Sequence, residues 1–485
     1  MQLNEYLSLQ LGPCQSSLLC QGQYFSNMLL LHIRMPYIPR MFRERIIARE
    51  LLTIGYPIIL GMVSTTIMNL ADIAMVGRLG AEAIAAVGLG GLIFYTIASF
   101  FNAISVGVQT LSARRLGEGR YPETTMILFN ALILAVLSGG LTTLIGMLFG
   151  GGLLPRVNAD PGVIRLGQDY LWFRFMGLGF FTINMAFHGF FNGIARTRIH
   201  FRVTVIANII NIIFNYLLIF GKLGLPAMGV SGAGLASTIS LLLSLGMYVQ
   251  AMSRGPIRNE FFGRRKISMQ SGLIRQLVRL SLPVGLQEFL VHLGFLMFVV
   301  MVGMIGTVEL AASHIVFNIL SFSFMPGYGL GMASGTLVGK YLGEKRPELA
   351  SRSGWVSMQL TIIFMGGVGV FFLLTPGTIL RLFTADPGVI EEGILALRIL
   401  GGIQFLDACG LSLSGALRGA GDTAFVSLTE ICINLFCFLP LTYVMALVLG
   451  WGLLGAWLAF AFYIFLFALF MVFRFRVGQW QLIEV

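Results

Sequence analysis

Apolar residues fill this chain in long blocks, separated by short polar or glycine-rich breaks. Runs of about 20 residues are long enough to cross a bilayer core of roughly 30 Å. Such runs lie at 51–77, 84–113, 124–149, 163–195, 200–221 and 228–252, and again at 280–303, 310–339, 353–375, 389–417, 424–447 and 451–473. None alternates with the period of two that a barrel strand needs, and in lipid the backbone must satisfy its hydrogen bonds within each segment. The pattern therefore predicts an all-α membrane protein with twelve transmembrane helices, here called spans 1 to 12.

The second set of six repeats the first. Pro57 falls on Pro283, a shift of 226 positions, and at that shift Met75-Val76-Gly77 falls on Met301-Val302-Gly303 and Ala85-Ala86 on Ala311-Ala312. Leu116-Gly117-Glu118 likewise meets Leu342-Gly343-Glu344, Ala159-Asp160-Pro161-Gly162-Val163-Ile164 meets 385–390, and Gly189, Gly193, Thr197 and Asn208 meet Gly415, Gly419, Thr423 and Asn434. A period this long is a duplicated domain. Each copy has an even number of spans, so both insert in the same orientation and form two six-helix bundles related by a pseudo-twofold axis along the membrane normal. The expected division is an N-terminal extension at 1–44, a first lobe at 45–253, a cytoplasmic linker at 254–279, a second lobe at 280–475 and a tail at 476–485.

Composition agrees: 56% of the residues are hydrophobic and 11% charged, against roughly 25% charged in a soluble domain. The net charge of +11 follows topology. Of 32 Lys and Arg, 25 lie on one side, in the N-terminal flank, the loops after even-numbered spans and the C-terminus, including Arg114, Arg115, Arg196, Arg264, Arg265, Lys266 and Arg346. Arg78, Arg156, Arg165, Lys222 and Arg381 lie opposite. The positive-inside rule then puts both termini in the cytoplasm of a cell-membrane protein, in contact with lipid and with no nucleic-acid partner. The sixty glycines suit close helix packing. Residues 1–40 stand outside the repeat and read as a disordered tail or a mis-called start, since Met41-Phe42-Arg43-Glu44-Arg45 resembles an ordinary beginning. Cys14, Cys20, Cys409, Cys432 and Cys437 form no disulfide framework or metal motif.

Charges at membrane depth mark a pathway by default, because burying one costs at least roughly 2.5–3.5 kcal/mol on insertion scales. The candidates are Asp72, Glu288, Asp407 and, nearer the cytoplasmic mouth, the weaker Glu430; their repeat counterparts are Phe298, Met62, Phe181 and Thr204. Since the fold is built without a carboxylate at each matching place, a purely structural role is weakened. Asp72 stands six residues from Arg78, and Asn215 seven from Lys222, at a similar depth. Asn211 is one turn deeper than Asn215 on the same face. One carboxylate and two amides offer oxygen ligands for Na⁺, while Asp72 alone suits a proton. In the second lobe Glu288 and Asp407 are expected at one level, where two carboxylates favour a shared proton or a bound cation. Pro57 and Pro283 each remove an internal hydrogen bond and are candidate bending points. Arg174 and Arg398 read as ion-pair partners or as snorkelling side chains. His188, His292 and His314 read as satisfied packing residues. Gly327, Gly329, Gly331 and Gly335 mimic a dinucleotide fingerprint but sit within a span, without the strand that motif requires.

The chain resembles the multidrug and toxic compound extrusion (MATE) family, nearest its NorM-type branch. The resemblance covers about 45–475 and rests on Asp72-Ile73-Ala74-Met75-Val76-Gly77-Arg78-Leu79-Gly80, Gly229-Val230-Ser231-Gly232-Ala233, Ala311-Ala312-Ser313-His314 and Gly415-Ala416-Leu417-Arg418-Gly419. It implies a twelve-helix, two-lobe transporter in which Asp72 matches an acid of the first helix, Asn211 and Asn215 a polar pair of the fifth, and Asp407 an aspartate of the tenth. Val291 holds the place of that branch's seventh-helix glutamate, with Glu288 one turn earlier as its substitute. The expected function is Na⁺- or H⁺-coupled antiport of amphipathic, often cationic organic compounds by a monomer, without a cofactor. No nucleophile–base pair or nucleotide motif argues for an enzyme. The alternative is a flippase for a lipid-linked oligosaccharide or related lipid, which would favour a strongly cationic cavity.

Overall fold

A computed structural model describes residues 40–157, 159–253, 255–261 and 268–485, the side chains of 40–43, 255 and 256 excepted. Residues 1–39 of the N-terminal extension, with Cys14 and Cys20, and the linker residues Arg264, Arg265 and Lys266 lie outside the described residues. The chain divides into Met1–Ile46 and Ile47–Val485, and the second unit carries the membrane-crossing part of all the spans.

Eleven described helices are long and apolar enough to cross a membrane. The remaining span is span 4, built from two 16-residue helices, Pro161–Met176 and Leu178–Gly193, joined at Gly177. The joint has a local cause. Thr238 of span 6 donates its hydroxyl to the carbonyl of Phe173 at 2.7 Å, and a side chain at Gly177 would lie 2.6 Å from that hydroxyl. The Gly177 amide shares that carbonyl at 3.3 Å and reaches the carbonyl of Arg174 at 3.1 Å, so the helix tightens for one turn there while its ladder continues. Span 10, Pro387–Ala420, is continuous. The helices around Pro57 and Pro283, Arg40–Gly77 and Ser271–Ile305, also run unbroken through their prolines. Span 11 begins as Thr423–Ile433 and widens into π turns at Asn434–Phe438 and Tyr443–Val448.

The repeated motifs have physical roles. Asp160 and Asp386 are N-caps of spans 4 and 10: Asp160 Oδ1 accepts from the Gly162 amide at 2.8 Å, and Asp386 Oδ1 from the Gly388 amide at 2.9 Å. In each case proline follows at the first helical position, where its missing N–H costs nothing. The repeated glycines are helix crossings. A Cβ on Gly189 would collide with the Ser105 carbonyl, and one on Gly193 would stand 2.7 Å from that of Gln109. In the second lobe Gly415 and Gly419 meet the carbonyls of Gly331 and Gly335 in the same way. Spans 2 and 4, and spans 8 and 10, thus cross backbone on backbone over one helical turn. Of the glycines that mimic a nucleotide fingerprint, Gly331 and Gly335 are packing residues of this kind, while Gly327 and Gly329 make room for the side chains of Met365 and Ile59.

Each lobe's first span reaches into the other lobe with its N-terminal half and returns to its own, where Val76 and Phe298 are buried. Leu51, Ile54 and Ile58 of span 1 belong to the apolar core of the second lobe, and Leu277 and Leu280 of span 7 to that of the first. Small residues make this possible. A Cβ on Gly55 would be 3.5 Å from that of Ala333, and at the pseudo-symmetric place one on Gly107 would collide with Ser281. Gly117 and Gly343 are themselves repeat partners and press each other's helix ends together: a side chain on Gly117 would strike the carbonyl of Lys340, and one on Gly343 that of Arg114.

Burial shows where the lobes meet. Span 2 buries about one residue per turn from Ala83 to Phe94 and then almost every residue from Ala103 to Ala113. Span 8 does the same, sparse from Ala312 to Ser323 and nearly continuous from Gly329 to Gly343. Both helices are enclosed at the end bearing Arg114, Arg115 and Lys340, called the basic end below, and packed on one face only towards the other. The lobes therefore touch at the basic end and separate beyond it.

Candidate coupling sites

Asp72, Asn211 and Asn215 come together in the first lobe. Asn215 Nδ2 donates to Asp72 Oδ1 and also to Asn211 Oδ1 at 3.0 Å, and Asn211 Nδ2 donates to Ser240 Oγ at 3.1 Å. Both asparagines are buried, whereas Asp72 is half-buried. Asn208, one turn further along the same face, donates to Ser64 Oγ at 3.0 Å and so ties span 5 to span 1. Arg174 is the cation whose field reaches Asp72, and its guanidinium lies 4.0 Å from the centre of the Phe94 ring. It is held as a cation–π partner. Arg398 is exposed.

Oxygen ligands for a hard cation are present. The Asp72 carboxylate and Asn211 Oδ1 already take part in the network, and Asn215 Oδ1 is buried without a hydrogen-bond partner. Turning the Asn215 amide over presents that oxygen to a cation shared with Asp72, so this donor set fits Na⁺. The same carboxylate fits a proton.

The second lobe differs from expectation. Glu430, expected at a polar mouth, is the hub of a buried network. Gln287 Nε2 donates to its Oε2 at 2.9 Å, the Tyr463 hydroxyl to its Oε1 at 3.3 Å, and Arg418 Nη2 stands 3.6 Å from its Oε2. Gln287 Oε1 in turn accepts from Arg418 Nη2 and Ser427 Oγ, both at 3.0 Å. Asp407, 8% exposed, makes no hydrogen bond or ion pair with the described residues. The carboxylate whose charge reaches it is Glu430. Glu288 is half-buried and lies within electrostatic reach of Tyr95, Tyr328 and Glu430.

The neighbour of Glu288 explains the difference. Leu277, Leu280, Val284, Gln287, Val291, Gly294 and Phe298 recur at three and four residues and form the buried face of span 7. Gln287 lies on that face, and Glu288 is turned about 100° from it. This spacing of three and four residues is visible in the sequence and marks Gln287, not Glu288, as the residue of the buried face. Arg418, Ser427 and Tyr463 were not recognised as site residues, because nothing local links three helices. Replacing Arg418 by glutamine is expected to lower stability by about 3 kcal/mol, since Glu430 keeps its burial and loses its cation. Thermal unfolding in detergent measures it, and an unchanged midpoint would show that the pair contributes nothing.

Of the three histidines, His292 has the satisfied packing role and the other two depart from it. His188 stacks on His200 with ring centres 4.0 Å apart, and neither of its nitrogens has a hydrogen-bond partner. His292 Nδ1 bonds the Glu288 carbonyl at 2.7 Å, and His314 is exposed. Among the described residues no three His, Cys, Asp or Glu side chains are grouped to hold a metal. Between the lobes, Gln109, Thr110, Tyr328, Met332 and Arg418 line a cavity of about 30 Å³. That holds about two waters, far below the roughly 300 Å³ of a drug-sized site.

Two pseudo-symmetric six-helix lobes that meet at one end, each with carboxylates at membrane depth, define the class: a two-lobe polytopic transporter. The MatE family profile matches residues 57–217 and 283–448, one copy per lobe, and the chain belongs to that family. It is 30% identical over 445 residues to the "Probable multidrug resistance protein NorM" of Thermotoga maritima, covering 90% of this chain and 93% of the relative. Against "Multidrug resistance protein PmpM" of Pseudomonas aeruginosa it is 29% identical over 393 residues, covering 80% and 82%. A solved structure described as the "Outward-facing conformation of a multidrug resistance MATE family transporter of the MOP superfamily" superposes with a TM-score of 0.81 at 21% identity, over 89% of this chain and 97% of that one. The expected fold, twelve helices in two lobes, agrees with these findings.

Proposed function

We propose that the protein is a multidrug exporter in the cell membrane that couples efflux of amphipathic, often cationic compounds to the entry of Na⁺ or H⁺ by alternating access. The observation that carries this reading is the asymmetry of polar groups laid on a symmetric fold. Asp72 with Asn215 and Asn211 forms a site in the first lobe, and its counterparts in the second lobe are Phe298, Leu441 and Cys437. Asp407, unpaired beside Glu430, is the corresponding asymmetry of the second lobe. Such carboxylates offer a cation different affinities as the lobes rearrange, and only a differential affinity shifts a conformational equilibrium.

The basic end is the cytoplasmic one by the excess of Lys and Arg. Contact of the lobes there, with separation beyond, corresponds to a state closed to the cytoplasm. Pro57 and Pro283 are bending points for the rearrangement, and the protein works as a monomer surrounded by lipid.

The test uses purified protein in vesicles loaded with a fluorescent cationic dye, with a Na⁺ gradient and a pH gradient imposed in turn. Dye movement accelerated by at least one gradient is expected, with Asp407→Asn slowing it. Movement indifferent to both gradients would refute coupling.

A further inference from the structure

The end of the chain spans the contact between the lobes. Its root is fixed in the second lobe: Trp480 is fully buried, stacks on Phe475 with ring centres 4.7 Å apart, and donates its indole N–H to the Phe475 carbonyl at 2.9 Å. Arg474 adds a pin, donating Nε to Asp422 Oδ2 at 2.7 Å and Nη1 to Gln479 Oε1 at 2.5 Å. Beyond this root the backbone crosses to the first lobe. Arg114 Nη2, at the basic end of span 2, donates to the carbonyl of Ile483 at 2.6 Å, and Arg115 Nη2 reaches that of Val485 at 3.5 Å. Side chains follow the same course. Ile483 packs against the apolar core of the second lobe and Val485 against that of the first. Gly421, left-handed at φ 98° where span 10 ends, lets the segment lie close; a Cβ there would stand 2.8 Å from Val485 Cγ2.

We infer that residues 478–485 are a strap that holds the two lobes together at the basic end, so that this end opens only when the strap leaves Arg114 and Arg115. The strap rests on the alternating-access reading above and adds a control to it. Spans 2 and 8 meet through glycine contacts and through Gln109, whose Nε2 donates to the Met332 carbonyl at 2.8 Å and to Thr336 Oγ1 at 2.9 Å. These bonds are neutral. The Arg114 bond is charge-assisted, and removing it tilts the balance towards opening.

Thr110, 1% exposed, donates its hydroxyl across the contact to the Arg418 carbonyl of the second lobe at 2.8 Å and so reports the opening. With Cys14, Cys20, Cys409, Cys432 and Cys437 replaced, Thr110→Cys should react with a polar maleimide only when the basic end parts. In nanodiscs, deletion of residues 483–485 and, separately, Arg114→Gln should each raise the labelling rate roughly tenfold. Leu482→Ala, at a side chain 84% exposed, should leave the rate unchanged. An unchanged rate in both the deletion and Arg114→Gln overturns the strap, as does an equal rise in Leu482→Ala. Labelling needs neither ion nor dye, so failure of the strap and failure of coupled export are read separately.

Discussion

Replacing Asp72 by asparagine is expected to reduce gradient-driven dye efflux at least about tenfold while leaving the protein folded. Asparagine keeps the size of the side chain and an oxygen to accept from Asn215, so the contact between spans 1 and 5 persists. The negative charge does not persist. A neutral amide neither takes a proton nor contributes the anionic ligand that a monovalent cation needs. An ion that binds both orientations of the transporter equally shifts neither. Arg174 would also lose the carboxylate in its field but keep its place on the Phe94 ring. Efflux under both gradients and thermal unfolding in detergent are measured side by side. Wild-type efflux in the variant would remove Asp72 from the coupling, and a collapsed unfolding midpoint would make its role structural.

The second large effect falls on the fold. Gly415→Val is expected to cost about 3 kcal/mol or more. Its Cβ would collide with the carbonyl of Gly331, a backbone atom that cannot rotate aside as a side chain does. Spans 8 and 10 would have to part along their crossing, taking with them the neighbouring contact of Gly419 on Gly335. Gly366→Val is the control, since nothing lies within 4 Å of a Cβ there. A fall in folded yield and midpoint confined to Gly415→Val is expected. Equal behaviour of the two variants would mean that the close crossing does not hold the lobe together.

The site was legible in proportion to how local its geometry is. Asn211 and Asn215 share a face because four residues make about one helical turn. Their common depth with Asp72 follows from counting to Arg78 and Lys222 on adjacent spans. The second-lobe network was not legible in that way. Glu430, Gln287, Arg418 and Tyr463 come from spans 11, 7, 10 and 12, and the rotation of each helix about its axis decides whether its side chains converge. Glu288 carries the charge of span 7, whereas its buried face carries Gln287.

By itself the sequence determined the number of spans, the duplication, the one-sided distribution of the charges and the helical character of the spans. These follow from bilayer thickness, the need to satisfy each peptide group in lipid, and a repeat that can be counted. Tertiary structure alone decided that span 4 tightens at Gly177, that Glu430 is a hub, that the lobes meet at the basic end and that the tail lies across them. Each of these depends on contacts between residues far apart in the chain, Thr238 with Phe173 or Arg114 with Ile483, and such pairings leave no periodic trace along it.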